Sequence, residues 1–377
     1  MIEFNKPCYT GNEDQYVIEA MRSNHISGDG PFTLRCQEWF ERFLGCPRAL
    51  LTPSCTHALE MIAILLELKP GDEIIMPSFT FVSTANAFMV KGAKVVFVDI
   101  RPDTMNIDEK LIEQAITTRT RAIVAVHYAG VSCAMDEIMA IAQRHDLYVI
   151  EDAAQAIMNK HKGRTLGTIG HFATYSFHET KNITSGGEGG LLIINESKFV
   201  DRAEIIREKG TNRSQFFRGA IDKYTWVDVG SSYLPSDLQA AYLWGQLEVL
   251  TEICENRISS WDLYFKLLKE LEEPECLELP KLPSDCTNNG HIFYLKTKDL
   301  EQRTALIKWL KLEDIAAVFH YVPLHSSPAG RKFSRFSGTD NFTSTDSERL
   351  VRLPIWHGIS EDKIEKVSRI IREFYTQ

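Results

Sequence analysis

The sequence lacks most of the signals that name a protein quickly. Its eight cysteines, at 8, 36, 46, 55, 133, 254, 276 and 286, include no C-x-x-C pair. In a chain of 377 residues that scatter argues against a disulfide framework and for reduced, packed thiols in a reducing cytosol. No H-E-x-x-H occurs, and the eleven histidines show no ligand spacing beyond His320-x4-His325, so no metal is expected. No apolar run approaches the roughly twenty residues that span a bilayer, and the first fifteen residues carry early acids without an apolar signal core. A cytoplasmic protein is the expectation. There is no excess of positive charge either: the formal net charge is −9 and the sequence pI about 5.7, which argues against nucleic acid or an anionic membrane as partner. A Walker pattern, a G-x-G-x-x-G between strand and helix, and a G-x-S-x-G elbow are all missing, which removes support for nucleotide hydrolysis, nicotinamide chemistry and serine hydrolysis. Internal repeats and low-complexity segments are absent too.

What is present is an alternation of short apolar runs and helix-compatible stretches. Runs at 73–76, 95–98, 122–126, 147–150 and 191–194 read as buried strands. Helical patterns fit 33–43, 58–68, 80–89 and 135–145, whereas residues 1–32 read as polar loop around Ser27-Gly-Asp-Gly-Pro31. Such alternation indicates βαβ units and a mainly parallel sheet, an α/β fold whose ligands collect at the carboxyl ends of strands. Between residues 191 and 245 the pattern loosens. Helices fit 238–250, 252–272, 301–312 and 361–374, with strand-like 291–295 and 316–320 and a loop-rich stretch around Pro280 and Pro283. The length exceeds what one core usually supports, so a large domain over 1–248 and a smaller α+β domain over 249–377 are expected.

Residues 151–190 organise the rest. An apolar run delivers Glu151 and Asp152, Ser176 and the lone Lys181 follow, and a glycine cluster (Gly186, Gly187, Gly189, Gly190) leads into the next apolar run. A strand-end acid followed by a lysine in a polar loop suits pyridoxal phosphate, which needs an amine for its aldehyde and a carboxylate for its ring nitrogen. Most lysines merely solvate a surface, but Lys181 is flanked by Thr180, Asn182 and Thr184, and burial would lower its pKa and make it a nucleophile. A helix starting near Ser54 offers free N–H groups to a phosphate, with Ser54 and Thr56 as hydroxyl donors; plain capping is the simpler reading of that segment alone. Phe81 is a core aromatic by default and could instead stack on a planar ring. His320 and His325 fit loop packing or substrate contact equally.

Six ordered motifs then resemble one family. Ser54-Cys-Thr56, Met76-Pro-Ser-Phe-Thr-Phe81, Glu151-Asp-Ala-Ala-Gln155, Ser176-Phe-His-Glu-Thr-Lys181, Gly186-Gly-Glu-Gly-Gly190 and His320-Tyr-Val-Pro-Leu-His325 look like the DegT/DnrJ/EryC1/StrS sugar-nucleotide aminotransferases, nearly end to end. The resemblance implies an aspartate-aminotransferase-like fold (fold type I) and a homodimer with shared active sites. It also implies that Lys181 holds the cofactor aldehyde and shuttles the proton, and that Asp152 pairs with the ring nitrogen. Gln155 would lie near the ring's phenolic oxygen and Phe81 on the ring. Ser176 with the backbone around Cys55 and Thr56 would hold the phosphate, and His320, with Tyr321 beside it, would lie where the sugar approaches. The stretches 209–218 and 222–226 resemble the members that move the amino group of L-glutamate to C4 of dTDP-4-dehydro-6-deoxy-D-glucose. Family dehydratases replace the lysine with histidine, so Lys181 argues against that branch. A 3-ketosugar aminotransferase and a non-catalytic regulator on the same fold are further alternatives. Where family members often carry Asn or Arg in the loop reaching the neighbouring subunit, this chain has Ser232 and Leu234, which leaves the cross-subunit contact open.

Overall fold

The apolar runs become strands because both faces of the sheet they form are covered. The computed structural model describes residues 1–273 and 276–376. Its strands are β1 (Arg48–Thr52), β2 (Glu73–Pro77), β3 (Lys94–Val98), β4 (Thr120–Val126), β5 (Tyr148–Asp152), β6 (Lys160–His161) and β7 (Arg164–Thr165). They continue with β8 (Phe172–Ser176), β9 (Gly190–Ile194), β10 (Leu277–Glu278), β11 (Phe293–Thr297), β12 (Ser334–Phe336) and β13 (Leu350–Leu353). Eight of them make one sheet in the order β1-β9-β8-β5-β4-β2-β3-β12. Every neighbour pair from β8 to β12 is parallel, while β9 is antiparallel to both β8 and β1. The sheet is therefore mainly parallel, as expected.

Alternation along β4 shows how the core is divided. Ala122, Val124 and Val126 face helices Cys55–Leu65 and Val82–Met89, whereas Ile123 and Ala125 face helices Pro31–Leu44 and Met135–His145. Strands sandwiched in this way have no polar face to present, which is why they read as continuous apolar runs. Each fully buried aliphatic side chain contributes about 1.5–3 kcal/mol of burial free energy. A second core forms in the C-terminal third. Helix Leu250–Leu268 packs through Trp261, Tyr264 and Leu268 against the antiparallel sheet β10-β11-β13 and against helices Leu300–Leu312 and Glu361–Tyr375.

Two sequence readings differ from the structure, and two further elements had no reading at all. The polar N-terminal stretch contains a helix, Asn12–Arg22, that buries only Glu13 and Ala20; its apolar face is too sparse to announce itself. Residues 316–320 form no strand: Val318 makes a single bridge to Arg352. The hairpin β6–β7 has strands too short for any periodicity to reveal. Finally, β12 leaves the C-terminal third and pairs in parallel with β3, closing the far edge of the large sheet.

Candidate active site

A cavity of about 600 Å³ opens at the carboxyl ends of the central strands. It is lined by ten of the residues singled out from the sequence: Ser54, Cys55, Thr56, Phe81, Asp152, Gln155, Ser176, Lys181, His320 and Tyr321. One wall is the start of helix Cys55–Leu65. Ser54 caps it, its Oγ accepting from the His57 N–H at 3.2 Å, so the plain capping role is real. The first-turn N–H groups still lack intrahelical partners. The close approach of β9 to this helix start depends on Gly190: a Cβ there would lie 2.3 Å from the Ser54 carbonyl carbon and 2.4 Å from the Cys55 nitrogen. The Thr56 hydroxyl donates to Ser83 Oγ at 2.8 Å.

The two acids at the end of β5 point to opposite faces, as the two-residue period of a strand requires. Asp152 faces the cavity. Its Oδ2 accepts from the Thr84 hydroxyl at 2.7 Å and its Oδ1 from the Ala154 N–H at 3.3 Å. Glu151 is fully buried on the other side, accepting from the N–H groups of Gly167, Ile169 and Gly170 at 2.7–2.8 Å and from His127 Nε2 at 3.0 Å. His127 Nδ1 accepts from the Cys133 N–H, which places the imidazole proton on Nε2. Burial alone would raise the Glu151 pKa, yet the His127 hydrogen bond and the backbone donors hold it below the usual carboxylate value. A lowered folded-state pKa means that this group stabilises the fold above the unfolded carboxyl's pKa, near 4.3. The contribution is lost as pH falls through the folded-state value. Glu151→Gln is expected to cost about 1–3 kcal/mol at pH 7. Thermal melts should show that difference shrinking as the medium is made acidic enough to protonate Glu151.

Lys181 sits in the loop between β8 and β9, where its N–H donates to the His178 carbonyl at 2.9 Å. Gly187, at φ +111°, makes the turn that lets its own carbonyl accept from the Glu179 N–H and its own N–H donate to Thr184 Oγ1, both at 2.9 Å. Desolvation in the cleft pulls the Lys181 pKa below that of a free lysine. Cys55 and Asp152 oppose that shift, and the positive charge of Arg352 adds to it. The outcome is an amine that gives up its proton more easily than a surface lysine, the property a nucleophilic lysine needs.

Another part of the lining is aromatic. His320 and Tyr321 stack with ring centroids 3.6 Å apart, and the Tyr128 hydroxyl lies 2.8 Å from His320 Nδ1. Burial, with the nearby charges of Arg352 and Lys181, drives the His320 pKa well below normal. The ring is therefore neutral near pH 7, and it pairs with the Tyr128 hydroxyl through Nδ1. Gln155 is held at both ends, accepting from the Ala129 N–H at 2.7 Å and donating to the Tyr321 hydroxyl at 3.0 Å. Phe81, 55% exposed at the cavity rim, contrasts with Phe79, which is 1% exposed and packs edge-on against Tyr128 and Tyr321.

The structure adds lining residues that sequence reasoning missed. Arg352 on β13 enters the cavity and donates to the Phe319 carbonyl at 3.0 Å and 3.2 Å; a lone arginine inside the apolar run Leu350–Leu353 was the available signal. His291 donates through Nδ1 to Asn182 beside Lys181 at 2.8 Å. His325 proves to be a packing residue outside the cavity lining, between Ser78 Oγ at 2.7 Å and Asp340 at 3.1 Å. Ser232, bridged to Glu208, and Leu234, packed on Gly28, do not line the cavity either.

These donors fit pyridoxal phosphate. The amine of Lys181 and the carboxylate of Asp152 answer the aldehyde and the ring nitrogen, and the helix start cradled by Gly190 answers the phosphate. With the mainly parallel sheet they define a pyridoxal-phosphate-dependent aminotransferase of fold type I. The chain belongs to the DegT/DnrJ/EryC1/StrS aminotransferase family, which it matches over residues 7–372. It is 32% identical to the spore coat polysaccharide biosynthesis protein SpsC of Bacillus subtilis, covering 99% of this chain and 96% of that one. It is also 32% identical to GDP-perosamine synthase of Caulobacter vibrioides, over 96% and 95% of the two chains. The crystal structure of a family aminotransferase from Brucella abortus superposes with a TM-score of 0.89 at 27% identity, over 97% of this chain and 96% of that one. The protein is accordingly a sugar aminotransferase that uses pyridoxal phosphate. No helix among the described residues is long and apolar enough to cross a membrane.

Proposed function

We propose that the enzyme moves the amino group of L-glutamate to C4 of dTDP-4-dehydro-6-deoxy-D-glucose, giving dTDP-4-amino-4,6-dideoxy-D-galactose and 2-oxoglutarate. This is the dTDP-4-amino-4,6-dideoxygalactose transaminase reaction of the enterobacterial common antigen pathway. The observation that carries the chemistry is Lys181, desolvated in a cleft that also holds the Asp152 carboxylate and the start of helix Cys55–Leu65. Support for the sugar comes from the sequence of 209–218 and 222–226. Bound pyridoxal phosphate supplies an aldehyde and an electron-withdrawing ring. In this reading Asp152 holds a proton on the ring nitrogen, kept in place by Thr84. Lys181 takes and returns the proton at the carbon being aminated, Gln155 donates near the phenolic oxygen, and Phe81 covers the ring. Ser54, Thr56, Ser176 and the N–H groups of Cys55 and Thr56 bind the phosphate. His320 contacts the sugar beside Tyr321. The reading includes a large domain over 1–248 and a small one over 249–377. It also includes a homodimer with shared sites, supported by the exposed aromatics Phe217 (69%) and Trp226 (78%).

The purified enzyme is expected to show a visible absorbance band that L-glutamate bleaches and dTDP-4-dehydro-6-deoxy-D-glucose restores, with product NMR placing nitrogen at C4. Relatives named GDP-perosamine synthase, from Caulobacter vibrioides and Escherichia coli, make a GDP-linked ketosugar the competing reading. Restoration by the GDP sugar alone would overturn the dTDP assignment, and amination at C3 would overturn the position.

A further inference from the structure

Away from the cavity, the hairpin β6–β7 is held against residues 285–287. His161 and Cys286 form an antiparallel bridge, the Lys162 N–H donates to the Asp285 carbonyl at 2.7 Å, and the Thr287 N–H donates to the Lys160 carbonyl at 3.1 Å. This pairing brings His161, Asp285 and Cys286 together, their potential ligand atoms all lying within 4.8 Å of one another. Cys286 Sγ is 3.6 Å from one Asp285 carboxylate oxygen, and His161 Nδ1 is 4.0 Å from the other. Ligand bonds to zinc of about 2.0 Å for nitrogen and oxygen and 2.3 Å for sulfur imply tetrahedral edges of about 3.3–3.5 Å. Small side-chain adjustments would close the remaining gap.

An independent observation concerns His161 itself. The residue is 3% exposed, and neither ring nitrogen has a hydrogen-bond partner among the described residues. Leaving a buried polar group in that state costs about 1–3 kcal/mol, so a buried imidazole whose nitrogens meet carboxylates only beyond hydrogen-bond distance, at 3.8 Å and 4.0 Å, calls for a ligand. The far side of the ring carries what a ligating histidine usually has. Nε2 faces the Asp136 carboxylate at 3.8 Å, the arrangement by which a carboxylate orients a metal-bound imidazole. Asp136 is in turn paired with Lys162 at 2.8 Å and with Arg164, so it is positioned independently of His161.

We propose that His161 Nδ1, Asp285 and Cys286 bind a zinc ion that fastens the β6–β7 hairpin to the segment entering β11. A thiolate with an imidazole and a carboxylate selects zinc over magnesium or calcium, and binding releases the thiol proton. The site is structural, since none of its three ligands lines the active-site cavity, and it does not depend on the identity of the sugar. The spacing rules behind the expectation of no metal compare residues close in sequence, and they do not reach a set split between 161 and 285–286.

Full-length untagged holoenzyme, dialysed after growth with added Zn²⁺, is expected to carry about one zinc per chain by elemental analysis. His161→Ala and Cys286→Ser should reduce it to background while the cofactor band persists. A thermal transition raised by Zn²⁺ and not by Mg²⁺ is the matching result. The wild type gives a second readout that needs no variant: Zn²⁺ should slow alkylation of Cys286 by about tenfold or more. Zinc retained equally by both variants would mean an adventitious ion only. That result, or an alkylation rate and melting temperature unmoved by excess Zn²⁺, would overturn the site.

Discussion

Lys181→Ala is expected to abolish turnover while leaving a protein that still binds pyridoxal phosphate as the free aldehyde, visible as a changed absorbance band. Proton transfer by a placed side chain alone contributes about 10²–10⁴-fold, and the nucleophile is lost as well. A fall of at least about 10³-fold in kcat/KM therefore follows. The more informative partner is Lys181→Arg. It keeps the positive charge between Cys55 and Asp152, the two groups that oppose the desolvation of the lysine. A guanidinium does not deprotonate near neutral pH, so this variant should be as inactive as the alanine one. Rescue by arginine would mean that position 181 supplies only charge. Retention of activity within about twofold by either variant would remove Lys181 from the chemistry, because losing a proton-transfer group costs far more than that.

Much of this site was legible because its members lie at strand ends and helix starts, where local sequence carries the signal. β4 and β5 are apolar runs that stop at polar residues, and the stop places Asp152 at the sheet's carboxyl edge. Ser54 followed by the apolar 58–68 reads as a capped buried helix, and the cap forms. The division of labour between Glu151 and Asp152 follows from alternation along the strand, but which of the two faces the cavity depends on where helix Val82–Met89 brings Thr84. Pairing direction was not legible. β9 is as apolar as β2, yet it runs antiparallel to its neighbours, because the loop carrying Lys181 returns the chain beside β8 without a crossover helix. Arg352 and His291 escaped for a related reason. They reach the cavity from β13 and from the loop before β11, segments whose approach to the large sheet is set by long-range packing around Phe79, Tyr128, Ile292 and Tyr294. Helix Asn12–Arg22 shows the limit of periodicity itself. It is fixed by docking on helix Asp237–Leu247, and its buried Glu13 accepts from the Thr10 and Gly11 N–H groups just ahead of the helix, a use of an acid that a hydrophobic pattern does not register.

Asp152→Asn should be the second most damaging change, and it separates electrostatics from architecture. Asparagine keeps the size of the side chain and can still accept from Thr84, whose hydroxyl also pairs with Thr80 at 2.9 Å. The strand end therefore has no steric reason to move. What disappears is the negative charge that would favour a proton on the cofactor's ring nitrogen. Removing a preorganised electrostatic partner of this kind costs about 10²–10³-fold in kcat, or about 2.7–4 kcal/mol. The loss should fall on kcat more than on the KM for L-glutamate, because the charge acts on the reacting electrons and does not touch the donor. The cofactor's absorbance maximum should shift and its dissociation should quicken, while the thermal transition of the cofactor-free protein stays near that of the wild type. A residue that merely ended the strand would give the opposite pattern, with a lowered melting temperature, unchanged absorbance and full kcat in whatever fraction remained folded. Glu151→Gln supplies that contrast from the adjacent position, since its carboxylate ties the 167–170 loop to β5 on the face away from Lys181. Neighbouring acids with opposite profiles, one lost in kcat and one in stability, would assign Asp152 to the cofactor and Glu151 to the fold.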